Sequence, residues 1–154
     1  MLLYLIRHGH AVDHADDAAR PLSRQGRDQV RAMADFLRAS GEFTPAEMWH
    51  SSLVRARETA ELFAERMKKP PQLIETAGLH PEDSPDRILT RLAHANVESL
   101  ALVGHEPHLG TLASLLVARS PEPRFVFKKC TVLALEGTPP WCQVRWQISP
   151  ELLP

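Results

Sequence analysis

Two short runs of the chain, Leu2 to Ile6 and Ser99 to Val103, are apolar at almost every position. Continuous rather than alternating hydrophobicity predicts strands covered on both faces, as in a parallel sheet layered between helices. Elsewhere the period changes. Val30, Met33, Ala34 and Leu37 recur at helical spacing behind Ser23, a fitting N-cap, and Gly41 stops that helix. Ala56, Ala60, Phe63 and Met67 share one face of a second helix beginning near Val54. Ser84-Pro85-Asp86 opens a third, with an N-cap, a proline at the first helical position and an acid in the first turn. Pro107 fits the first position of a fourth, whose Leu109, Leu112, Ala113 and Leu116 share a face.

Further strands are expected at Glu47 to His50, Gln72 to Thr76, Phe125 to Phe127, Thr131 to Leu135 and Gln143 to Gln147. The last two are separated by the turn Gly137-Thr138-Pro139-Pro140, and Gly9 to Pro21 reads as loop. Strand–helix alternation followed by late strands predicts an α/β three-layer sandwich. Its central sheet is mostly parallel with an antiparallel edge, and helices cover both faces.

Composition narrows the function classes. A chain of 154 residues fits one domain spanning 1–154. A net charge of −1 gives no basic excess for nucleic acid and no acidic tail. The first apolar run ends at Arg7 with no cationic region before it, so neither a signal peptide nor a membrane span is expected. A cytoplasmic protein without a membrane partner is the default. Cys130 and Cys142 lack metal-type or redox-type spacing. They could pair across adjacent strands, but reduced packing residues are the expectation.

Candidate chemistry lies where the strands end, the rim at which open α/β sheets bind ligands. The first strand ends in Arg7-His8, the second is followed by Ser51-Ser52-Leu53-Val54-Arg55, and another ends in Gly104-His105. Two arginines and two histidines, with no acid noted among them, compose an anion site. The helix after Pro107 would add its N-terminal amides to the same rim. A neutral imidazole can attack phosphorus, and guanidinium groups can stabilise the charge in transfer. Taken singly, Arg7 reads equally well as a strand-end ion pair, and His8 and His105 as satisfied buried histidines. The set points to phosphoryl chemistry.

The residues also resemble a known family. "LIRHGHA" is similar to the RHG signature of the histidine phosphatase superfamily, the phosphoglycerate mutase-like enzymes. "RPLSRQG" (20–26), "SSLVRARETA" (51–60) and "LVGHEPHL" (102–109) resemble its later blocks, in the family's order. Short length and the late "FKKCTVLALE" stretch resemble the small SixA-type phosphohistidine phosphatases. The resemblance implies a hydrolase in which His8 is the nucleophile and Arg7, Arg55 and His105 hold the phosphoryl group. It implies that Arg20 contacts phosphate or leaving group, that Ser23 to Gly26 lines the mouth, and that no metal or other cofactor is needed.

His10 stands where the family more often carries an acid or threonine. The His8-x-His10 spacing could suggest a metal, but the arginines would repel a cation, and a rim or loop-packing histidine is the expectation. Glu82 and Asp83 are the candidates for a general acid, with solvated loop acids as the alternative. A phosphoramidate nitrogen needs less help in leaving than an alkoxide. The segment 68–98 leaves no room for a long lid, so an open site is expected. The expected partner is therefore a phosphorylated protein of the histidine phosphotransfer type, in signal transduction, acted on by a monomer. The alternatives are a small phosphorylated metabolite, split by a phosphomonoesterase or mutase, and a phosphate-binding module without turnover.

Overall fold

The computed structural model describes residues 1–154. Its elements run β1 Leu2–Arg7, α1 Arg24–Ser40, β2 Glu47–His50, α2 Val54–Arg66, β3 Gln72–Glu75, α3 Asp86–His94, β4 Ser99–Gly104, α4 His108–Ala118, β5 Val132–Thr138 and β6 Trp141–Ile148. The strands form one sheet in the order β3-β2-β4-β1-β5-β6. β1 to β4 pair in parallel, and β5 and β6 add an antiparallel edge beyond β1. The α/β sandwich expected from the hydrophobic pattern is the fold observed.

Successive side chains of β1 supply opposite cores, which is why its apolar run is continuous. Tyr4 and Ile6 pack with Val30, Met33, Leu37, Ala56, Ala60 and Phe63 of α1 and α2. Leu3 and Leu5 pack with Ile88 and Leu92 of α3 and with Leu109, Leu112 and Leu116 of α4. Cys130 belongs to the first core and Cys142 to the second. Both are free and buried, on opposite sides of the sheet.

Local signals explain the helix ends. The Ser23 hydroxyl accepts from the Gly26 amide at 2.9 Å, and Gly41 ends α1 with a left-handed φ of 74°. Two prolines stand one position earlier than expected, since Pro85 and Pro107 are the N-cap residues of α3 and α4. Phe125 to Phe127 is not a strand. Phe127 is buried by hydrophobic packing, which mimics a strand signal without ladder pairing. No helix is long and apolar enough to cross a membrane.

β1 leads to α1 on one face, whereas the adjacent parallel strand β4 leads to α4 on the other. The crevice between their carboxyl ends is the topological switch point, the usual ligand position in such sheets.

Candidate active site

Strand register brings the predicted residues together. Arg7 pairs with Gly104 and His50 with Val103, so His8, His105 and Ser51 emerge side by side from three neighbouring strands. The His8 and His105 rings lie with centroids 4.9 Å apart. Arg55 enters from the first turn of α2 and is 5% exposed.

His8 is held by its own neighbour. Its Nδ1 lies 2.7 Å from the Gly9 carbonyl oxygen, which can only accept. Nδ1 therefore carries the ring proton and Nε2 keeps a lone pair. Gly9 is itself fixed, its amide donating to Thr59 Oγ1 at 3.1 Å while that hydroxyl donates to the Arg55 carbonyl at 2.7 Å. Burial is the main force holding the His8 pKa down to about 3, with the charges of Lys129, Arg55 and Arg7 adding to it. His105 is held to about 2, again chiefly by burial, then by His8 and Arg55. Both rings are thus neutral over the physiological range. Ser51 Oγ sits 2.6 Å from His105 Nε2, and the buried His105 Nδ1 has no partner within the protein.

The arginines are anchored by part of each fork. Arg7 donates to the Phe127 carbonyl at 2.6 Å, and Arg55 donates to the Asp17 carbonyl at 2.9 Å and its carboxylate at 3.3 Å. The Nε of each is buried without a partner. Buried donors left unpaired are what a multi-oxygen anion would satisfy.

Acids do reach this rim. Asp17, in a single 3-10 turn at Asp17–Ala19, bridges Arg55 and Arg20, and those partners hold its carboxyl below the usual range. Glu106 follows His105 directly, and burial raises its pKa against the opposing pull of the Gly110 amide and Arg7. Its Oε1 accepts from the Gly110 amide at 2.6 Å. The N-terminus of α4, expected to offer its amides to an anion, is therefore capped in part by its own side chain.

The remaining predicted residues have distinct places. Arg20 lies at the rim, its Nε donating to the Val12 carbonyl. Ser23 Oγ caps α1, meets His10 Nδ1 at 2.7 Å and donates to the His10 carbonyl, which leaves it little capacity for a ligand. Gly26 lets that carbonyl approach, since a Cβ there would stand 2.0 Å from the His10 oxygen. Ser23 and Gly26 thus pack the His8-to-Ala11 loop onto α1. His10 is exposed and borders a polar groove of about 500 Å³ with Gln25, Gln29, Lys128, Lys129 and Glu151. Glu82 and Asp83 are exposed, and Asp83 accepts from the His80 amide in a turn whose His80 ring meets Ser52 Oγ at 2.7 Å.

Sequence reasoning overlooked four contributors. Thr59 and Glu106 lie inside stretches it quoted, but their roles depend on tertiary partners. Asp17 sits in a loop of several acids that nothing in the pattern distinguishes. Lys129 lies in the late FKKCTVLALE stretch, where the pattern gives it no role.

Comparison with known proteins agrees with this geometry. Residues 3–80 match the model of the histidine phosphatase superfamily (branch 1). An uncharacterized protein of Picosynechococcus sp. is 34% identical over 144 residues, covering 89% of this chain and 86% of its own length. Phosphohistidine phosphatase SixA of Escherichia coli is 29% identical over 163 residues, covering 97% of this chain and 94% of its own. The solved structure of protein histidine phosphatase SixA complexed with tungstate superposes with a TM-score of 0.87 at 25% identity, over 97% of both chains.

Proposed function

The chain belongs to the histidine phosphatase superfamily and is SixA-like along its length, and from that premise we propose that it hydrolyses a phosphoryl group through a covalent phosphohistidine on His8. The observation that carries this reading is the His8 ring, locked by Gly9 with an unprotonated Nε2 among arginines.

In the first step Nε2 attacks phosphorus in line, the P–Nε2 bond forms and the bond to the leaving group breaks. Arg7 and Arg55 donate to the equatorial oxygens, where charge is held through the transfer. His105 Nδ1, without a protein partner, is aimed at the same duty when it bears the ring proton. Water then attacks the phosphohistidine, P–Nε2 breaks, and phosphate leaves. No step requires a metal. The tungstate in the SixA structure is a tetrahedral oxyanion, shaped like the phosphoryl group this crevice would hold.

The proposed substrate is phosphohistidine on a protein surface. The connection from α2 to β4 holds only β3, the short helix α3 and turns, so it carries no long lid, although its His80 ring meets Ser52 Oγ at the rim. An open rim accepts a phosphate displayed by a large partner. A departing imidazole nitrogen also needs little acid assistance. A single domain, a monomer and a cytoplasmic setting complete the reading.

Glu106 favours a second reading, a small alkyl phosphate. A carboxyl with a raised pKa beside His105 could protonate an alkoxide. The deciding experiment compares a phosphohistidine protein with a panel of small phosphomonoesters, chelator present, for wild type and His8→Ala. The proposal expects the phosphohistidine protein to be the best substrate and His8→Ala to be inactive. Near-normal turnover by His8→Ala would overturn the mechanism. Efficient turnover only on an alkyl phosphate, lost in Glu106→Gln, Glu82→Gln or Asp83→Asn, would replace the substrate.

A further inference from the structure

The rim holds two cations that the mechanism above does not use, Arg20, which is paired with Asp17, and Lys129. Lys129 lies in the segment that wraps the start of the site: the Cys130 amide donates to both the Arg7 and His8 carbonyls at 3.1 Å, and the Arg7 amide donates to the Thr131 carbonyl at 3.1 Å. Backbone pairing at the two residues that follow it ties Lys129 to the nucleophile's strand end. Its side chain is half-buried and has neither an ion pair nor a hydrogen bond. The charges of Arg7, Arg20 and Arg55 act on it, and its own charge acts on His8. It lines the same groove as His10 and Lys128, and Lys128 is neutralised by Glu151.

An ammonium half out of water beside three guanidiniums is costly unless an anion arrives. Burial and those arginines hold its pKa down to about 8. Four positive groups, Arg7, Arg20, Arg55 and Lys129, meet two carboxylates, Asp17 and Glu106. With both carboxylates ionised the excess is two charges, which matches a phosphoryl group near −2 at neutral pH. Without Lys129 the balance is one short.

We propose that Lys129 is a third phosphoryl-binding cation, whose ammonium contacts an oxygen of the bound group alongside Arg7 and Arg55. This rests on the anion-site reading of the same crevice and adds a residue to it. The lysine's flexible stem lets it follow the phosphoryl group, whereas both arginines are tethered to carbonyls.

Tungstate binding to the full chain tests the proposal without turnover, because the probe is a tetrahedral dianion that cannot be hydrolysed, used dilute and from neutral pH upward so that it stays monomeric. Lys129→Met should weaken tungstate binding about tenfold to a hundredfold at neutral pH, the range for a charge-assisted bond. Wild-type affinity should fall as pH rises through about 8, where Lys129 loses its proton. Lys129→Arg should keep tight binding and lose that fall, and Lys128→Met, whose ammonium is already paired, should bind as wild type does. Equal affinity for wild type and Lys129→Met overturns the proposal, as does an equal loss in Lys128→Met, which would mark a diffuse field. Failure of wild type itself to bind tungstate would overturn the anion-site reading beneath it.

Discussion

His8 is useful because three small contacts remove its freedom. The Gly9 carbonyl accepts from the Nδ1–H, Thr59 accepts from the Gly9 amide, and the Arg55 carbonyl accepts from the Thr59 hydroxyl. Replacing Thr59 with valine would keep the shape and strand the buried Gly9 amide. The expected cost is about 1 to 3 kcal/mol of stability, read by urea unfolding, with a drop in kcat and recovery in Thr59→Ser. Arg7→Ala and Arg55→Ala should each lower kcat/KM by about 10²-fold or more, as for other charge-stabilising donors. The pH profile carries a separate signature. Because the His8 pKa is near 3, kcat/KM corrected for substrate ionisation should run level through pH 6.5, where an ordinary histidine would titrate. An acid limb with its midpoint near 6.5 would contradict a neutral, buried nucleophile. Arg7, His8, Arg55 and His105 were legible in the sequence because each follows a recognisable strand or opens a helix. Asp17, Glu106 and Lys129 were not, because their meaning lies in which charges they face across the fold.

At the scale of elements, α1 does more than cover the sheet. Its first turn clamps the loop that carries His10, and Gly26 is the point of closest approach. A methyl group at Gly26 meets backbone at 2.0 Å, so Gly26→Ala must push the His8-to-Ala11 loop away. About 2 to 3 kcal/mol of destabilisation is expected, together with lost activity. Gly41 offers the contrast: its Cβ would meet nothing within 4 Å, but its φ of 74° disfavours any side chain. Gly41→Ala should cost only about 1 kcal/mol and leave kcat intact, since it sits at the far end of α1. Thermal unfolding and steady-state kinetics on the two variants separate site geometry from helix capping. Period and caps made the elements themselves readable, and Glu47–His50 appears as the pattern placed it. The misreadings came from competition that local sequence hides. Phe125 to Phe127 is apolar for packing rather than pairing, and one of the α4 amides, that of Gly110, meets Glu106 rather than a ligand.

For the whole molecule, a crevice built to keep two histidines neutral has a thermodynamic consequence. An unfolded chain protonates His8 and His105 near pH 6.5, whereas the folded chain resists protonation until about pH 3 and about pH 2. Between those limits the unfolded state binds more protons, so stability falls as pH falls. Each histidine contributes up to about 1.4 kcal/mol per pH unit to that slope once the unfolded form is fully protonated. Above pH 6.5 the contribution is level. Asp17 acts in the same direction at lower pH, because its paired carboxylate must be protonated on unfolding. Urea unfolding from about pH 7 to about pH 4 should show a steep loss of stability for wild type and a shallower one for His8→Asn and His105→Asn, each lacking one titrating ring. Parallel slopes in all three proteins would mean that the rings charge freely in the folded state. A His8 that titrates at about pH 6.5 would lose its nucleophilic form below that pH, so a stability measurement bears directly on the acid side of the rate profile.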